Sequence, residues 1–164
     1  MSNKVKIAID AMGGENSPEK IIKGIEISLK SNQENFFYLY GKKDLLEQEI
    51  SKRKVLQKYC EIINTEDIVL DDESALTGAK KSKNSSMWKA VESLREKNSD
   101  ISLSAGNTGA LLVISRLLLK TIAGISKPAL AGLWPNQNSM NVVLDLGANI
   151  ECTEKNLTYF ACMG

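Results

Sequence analysis

Short β-branched runs that stop at a glycine-rich turn and pass straight into helical periodicity constrain this chain more than any other feature. Val5–Asp10 (VKIAID) reads as a strand ended by Met12-Gly13-Gly14. Ser17-Pro18 supplies helix-start chemistry, and Ile21, Ile22, Ile25 and Leu29 follow at helical spacing. The pattern recurs. Phe36–Tyr40 is a second strand closed by Gly41, Asp44–Tyr59 a second helix and Cys60–Asn64 a third strand. Thr65–Asn84 reads as a loop with a short helix, and Ser85-Ser86 caps an amphipathic helix through Met87, Val91 and Leu94. Ile101–Ser104 is a strand, Ala110–Ile122 an apolar helix expected to be buried, Ala129–Trp134 and Asn141–Leu146 two further strands, and Glu154–Met163 a last helix. Strands alternating with helices predict parallel β-α-β units, hence a three-layer α/β/α fold with a mostly parallel sheet.

Composition removes whole classes of function. With 164 residues the chain is long enough for one domain with a real core. The 21 basic and 20 acidic side chains nearly cancel, so no nucleic-acid partner is expected. There is no histidine, which excludes a Ser-His-Asp triad, a Cys-His pair and a His-ligated metal. Cys60, Cys152 and Cys162 are odd in number and far apart, as reduced thiols of a cytoplasmic protein would be. The first residues show no signal-peptide pattern, and the longest apolar run, Gly109–Leu119, is broken by Ser115 and Arg116 and falls well short of a membrane span.

Ligands of open α/β sheets bind beyond the carboxyl ends of the strands. Three segments place small and polar residues there. In Ile9–Glu15, Asp10 ends the strand, and Gly13 and Gly14 allow close backbone approach; a plain tight turn reads equally well. In Ser104–Ala110 (SAGNTGA), Ala105 and Gly106 keep the turn open, while Asn107, Thr108 and Gly109 begin a helix whose first amides suit an anion; Asn107 or Thr108 taken singly also reads as a plain helix cap. In Leu144–Cys152, Asp145 sits in an apolar strand ahead of Gly147, Ala148 and Asn149. A function and a backbone-satisfied carboxylate are equally good readings of Asp145. Lys80, Lys81 and Lys83 precede Ser85-Ser86 at a helix start, as a phosphate contact or a solvated basic loop. Trp88 and Trp134 read as pocket lining or ordinary packing.

IDAMGG (Ile9–Gly14), NSSM (Asn84–Met87), SAGNTGALL (Ser104–Leu112), KPAL (Lys127–Leu130) and VVLDLGAN (Val142–Asn149), taken in order, resemble the phosphate acyltransferases, the acyl-carrier-protein:phosphate transacylases. The resemblance runs from Val5 to Gly164. It implies transfer of a fatty acyl group from acyl carrier protein to inorganic phosphate, giving an acyl-phosphate for phospholipid synthesis. It also implies a fold like isopropylmalate dehydrogenase and phosphotransacetylase, a homodimer, no cofactor or metal, a cytoplasmic location and at most peripheral membrane association. For that reaction Asp10, Asn107 and Asp145 are the expected catalytic residues, with Asp10 or Asp145 holding a proton or orienting donors. Gly13, Gly14, Lys80, Lys83, Ser85, Ser86, Ser104, Ala105, Gly106, Thr108, Gly109, Gly147, Ala148 and Asn149 are the expected phosphate and substrate contacts.

Three departures stand out. Glu15 replaces the usual Asp, and Lys80 replaces the usual Arg, losing bidentate phosphate geometry. Family chains also continue well beyond the position of Met163-Gly164, so this chain corresponds to their N-terminal portion. The alternative to an enzyme is therefore an inactive half that only binds a ligand or a separate C-terminal half.

Overall fold

A computed structural model describes residues 4–70, 83–149 and 151–164. It divides into two compact units, Met1–Leu119 and Lys120–Gly164. In the first, β1 (Lys6–Asp10), β2 (Phe36–Gly41), β3 (Cys60–Asn64) and β4 (Ile101–Ser104) form one parallel sheet in the order β3-β2-β1-β4. Helices α1 (Glu19–Ser31) and α2 (Lys43–Ser51) link β1 to β2 and β2 to β3. The chain then returns across the sheet through α3 (Ser86–Arg95) to place β4 beside β1, and continues into α4 (Thr108–Leu119). The fold is α/β with a mostly parallel sheet between helical layers, as the alternation of strands and helices implies.

Period-two alternation assigns each strand residue to a layer. Ile7, Ile9, Phe37 and Leu39 join Ile22, Ile25, Leu29, Leu46 and Ile50 in one apolar cluster, on the side of α1 and α2. The opposite face presents Ala8 and Tyr40 to Ala90 of α3. Ala8 and Ala90 carry only methyl groups, which lets helix and sheet approach closely. Behind them Met87, Trp88 and Val91 of α3 meet Ala110, Ile114 and Leu118 of α4. Trp88 is thus core, while Trp134 is exposed.

Several elements differ from their sequence-based bounds. The second helix stops at Ser51, and Lys54–Lys58 forms a 3-10 turn. Arg53 Nη1 donates to the Glu49 carbonyl and carboxylate, satisfying a late carbonyl that a longer helix would have used. Ser17 does not cap α1: Pro18 occupies the cap position, and the Ser17 hydroxyl donates to Gly13 O at 2.6 Å. Helix α4 is not buried all round, since Leu117 and Leu119 are exposed.

In the second unit, β5 (Ala131–Pro135) and β6 (Met140–Leu144) pair antiparallel, correcting the expectation of parallel units there. Asn136 makes the turn, its side-chain oxygen accepting from the amides of Asn138 and Ser139. Helix α5 (Glu154–Met163) opens with a reciprocal capping box between Thr153 and Asn156.

All three cysteines are free thiols. Burial pushes the Cys60 thiol up to about 12, whereas Cys162 is exposed. Only a thiolate alkylates readily. Iodoacetamide at pH 8, followed by mass spectrometry, is expected to label Cys162 at least tenfold faster than Cys60; equal rates would mean that Cys60 is not packed against the main apolar cluster.

Candidate active site

The two sheet-side turns rich in glycine lie side by side because β1 and β4 are neighbours with Asp10 opposite Ser104. Chain direction reverses here. The connections from β1 run one way across the sheet, and the connection into β4 returns the other way, so β1 and β4 flank the topological switch point where such sheets open a crevice.

Asp10 is the hub of this end. It is 1% exposed, and its Oδ2 accepts from the Ser104 hydroxyl at 2.7 Å while Oδ1 accepts from the Met12 amide at 3.3 Å. Ser104 Oγ in turn accepts from the Gly106 amide at 3.1 Å. One carboxyl thus fastens both turns through a three-member relay. A buried carboxyl so engaged is a positioning group for the turns above it.

The glycines explain the fit. A Cβ on Gly13 would stand 2.5 Å from Asp10 Oδ2 and 2.9 Å from the Gly106 nitrogen. Gly14 has φ +87°, and a Cβ there would stand 2.6 Å from the Ala105 carbonyl oxygen. The turns meet backbone to backbone, closer than any side chain allows.

Above the relay, α4 begins. The Asn107 side-chain oxygen accepts from the Ala110 amide at 2.9 Å, capping the helix, and its amide nitrogen reaches Leu70 O at 3.5 Å. The Gly106 amide, a candidate anion donor by sequence, donates to Ser104 Oγ. Among the described residues, no acceptor meets the amides of Thr108 and Gly109, which stand at the positive end of the helix. Lys20 lines one groove together with Ser104 and Ala105. It is a cation beside the site that sequence reasoning missed, because α1 carries it from a distant stretch of chain.

Ser85 and Ser86 open α3, and the Met87 methyl that follows them lies against Gly106. Ser85 is fully buried and its hydroxyl accepts from the Trp88 amide at 3.1 Å, the cap of α3. Ser86 is 1% exposed, and its hydroxyl has no partner among the described residues. Lys83 is exposed, and Lys80 lies outside the described residues.

In the second unit, β6 ends at Leu144, so Asp145 stands in the turn and not in the strand as expected. Its φ of 61° is left-handed, a conformation Asp tolerates better than most residues. Asn149 donates its side-chain amide to Asp145 Oδ1 at 2.8 Å and to Pro128 O at 2.9 Å, and the Gly147 amide donates to Asp145 O. Ala148 lies within this turn. The Asn149 amide foremost, with the Cys152 thiol and the charge of Lys127, holds the Asp145 carboxyl below the usual carboxylate range. Asn149→Ala is expected to raise the Asp145 pKa, as read by carboxyl-carbon NMR. A carboxylate held low favours the folded turn above the normal carboxylate range and loses that contribution as pH falls through its folded-state pKa. The variant should therefore lose less stability on acidification than the parent; an unmoved titration would show that Asn149 is not the partner that matters.

A switch point flanked by a buried carboxyl, two glycine turns and a helix N-terminus is the arrangement of a doubly wound α/β protein. The fatty acid synthesis protein family matches residues 5–164, and the chain belongs to that family. It is 56% identical over 164 residues to a phosphate acyltransferase of Pelagibacter ubique, covering all of this chain and 49% of that protein. It is 39% identical over 165 residues to a phosphate acyltransferase of Xanthobacter autotrophicus (100% and 46%) and 36% identical over 163 residues to one of Roseobacter denitrificans (98% and 46%). The chain spans about half the length of the curated relatives it matches. Among the described residues, no helix is long and apolar enough to cross a membrane.

Proposed function

We propose that this chain carries the phosphate-side half of an acyltransferase that moves a fatty acyl group from acyl carrier protein to inorganic phosphate. The observation that carries the reading is the pair of unengaged amides, Thr108 and Gly109, at the start of α4, set over the Asp10–Ser104–Gly106 relay at the switch point. The names of the relatives supply the acyl group and the phosphate.

In this reaction a phosphate oxygen attacks the thioester carbonyl carbon. A C–O bond forms, the C–S bond breaks, and the carrier leaves as its thiolate. No enzyme nucleophile takes part, in keeping with a chain without histidine. The work left to the protein is to orient two anionic partners and to stabilise charge on the carbonyl oxygen. Thr108 and Gly109 donate their amides to phosphate or to that oxygen, the Asn107 amide nitrogen adds a further donor, and Lys20 supplies neutralising charge. Ser85, Ser86, Lys80 and Lys83 make a second phosphate contact; within the second unit, Asn149 orients the Asp145 carboxylate. The protein acts in the cytoplasm as a homodimer, touching membranes at most peripherally.

Coverage of only half the relatives' length favours a second reading: the chain is inactive alone and works when joined by a separate C-terminal half. The test is acyl-phosphate formation by the chain, alone and co-expressed with that half of the Pelagibacter ubique relative. Product is expected at least in the second case. Asn107→Ala and Asn107→Ser separate chemistry from capping, because Ser keeps the cap and removes the amide donor. Both are expected to lose tenfold or more in turnover, with Ser retaining stability. Full turnover in the Ser variant would leave Asn107 a cap and nothing more.

A further inference from the structure

We infer that the free edge of β4, with Ile101 and Leu103 on its α1-side face, is where the polypeptide making up the other half of the relatives' length docks. This shares with the proposed function the premise that a second half completes the enzyme, but not its chemistry.

The sheet register draws the surface. Cys60, Phe37, Ile7 and Ile101 form one row across the sheet, and Ile62, Leu39, Ile9 and Leu103 the next. Helices α1 and α2 cover these rows as far as β1: Ile7, Ile9, Phe37 and Leu39 are all under 9% exposed. On β4 the cover stops. Ile101 is 43% and Leu103 50% exposed. Between α1 and Leu103 lies a groove of about 310 Å³, lined mainly by Ile7, Ile9, Ile21, Ile25, Phe37 and Leu103. Its apolar floor continues the main core, so the apolar layer runs on towards an absent neighbour.

The outer edge is equally unfinished. β4 is the terminal strand, and among the described residues its outward amides and carbonyls meet no further strand. Exposed edges are ordinarily blunted by lysine, proline or a bulge. Ile101-Ser102-Leu103-Ser104 carries none of these. The occupant follows from length: relatives that match this whole chain carry about as much sequence again. A strand of that half pairing with β4, and a helix lying on Ile101 and Leu103, extends the order β3-β2-β1-β4 as every other strand of the sheet is already arranged.

Hydrogen exchange on the 164-residue chain and on the full-length Pelagibacter ubique relative tests this without a variant. The outward amides of β4 are expected to exchange at least 100-fold more slowly in the full-length protein at the positions matching 101–104. Equal rates would overturn the inference, as would protection appearing in the short chain alone as its concentration rises, which identifies a second copy as the occupant. Leu103→Asp gives the second arm. Exposed in the free chain, it should leave the melting temperature unchanged yet abolish co-purification with the co-expressed second half; a retained complex counts against β4 as the docking edge. Binding at β4 without acyl-phosphate formation would sink the proposed chemistry alone, whereas product without β4 protection would sink only the docking site.

Discussion

Gly13→Ala is expected to lower the unfolding free energy by about 3 kcal/mol, the upper range for an over-packed site, and the melting temperature by about 8 °C for a chain of this size. The added methyl has nowhere to go. It would meet Asp10 Oδ2 at 2.5 Å and the Gly106 nitrogen at 2.9 Å, one group locked by hydrogen bonds and the other part of the backbone. Relief requires the β1 and β4 turns to separate, which breaks the Ser104 relay. Gly24→Ala is the control, because a Cβ there meets nothing within 4 Å in the middle of α1. It should raise stability by about 0.5–1 kcal/mol through helix propensity. Thermal unfolding of both variants gives opposite signs on this account. A Gly13→Ala protein as stable as the parent would mean that the turns do not touch.

Asp10→Ala should cost about 3 kcal/mol, because two donors lose their acceptor at a site closed to water and each such group costs roughly 1–3 kcal/mol. The Ser104 hydroxyl and the Met12 amide are those donors. Asp10→Asn should cost less but not nothing. Its oxygen can accept from the Met12 amide while its amide donates to Ser104 Oγ, whose own proton then loses its acceptor. Denaturant midpoints at constant slope measure both changes. The order parent, Asn, Ala is expected; an Ala variant within 1 kcal/mol of the parent would contradict the relay.

Much of this was legible in the sequence because strand, turn and helix signals agree in the first unit. The strands Cys60–Asn64 and Ile101–Ser104 have the bounds their β-branched and turn residues dictate, and the Asp10, Gly13 and Ser104 segments meet as parallel strand ends must. What escaped depends on tertiary bonding. Nothing in Ser51–Lys54 marks the end of α2, since the stop comes from Arg53 folding back on Glu49. The antiparallel turn was readable in Pro135-Asn136-Gln137-Asn138-Ser139, whose asparagines and serine are turn formers, but alternation elsewhere argued for parallel strands. The use of the Gly106 amide by Ser104 has no sequence signal, because it depends on a hydroxyl that β1 fixes from across the sheet. Lys20 escaped likewise, being brought to the groove by the packing of α1.

The central claim is that the β1–β4 end holds a phosphate group, and amide NMR during titration with inorganic phosphate tests it most directly. Saturable shifts centred on Thr108 and Gly109, spreading to Gly13 and Gly14 and lost in Gly13→Ala, are the predicted result. Shifts absent there, or no larger than those of exposed amides across the chain, would contradict it.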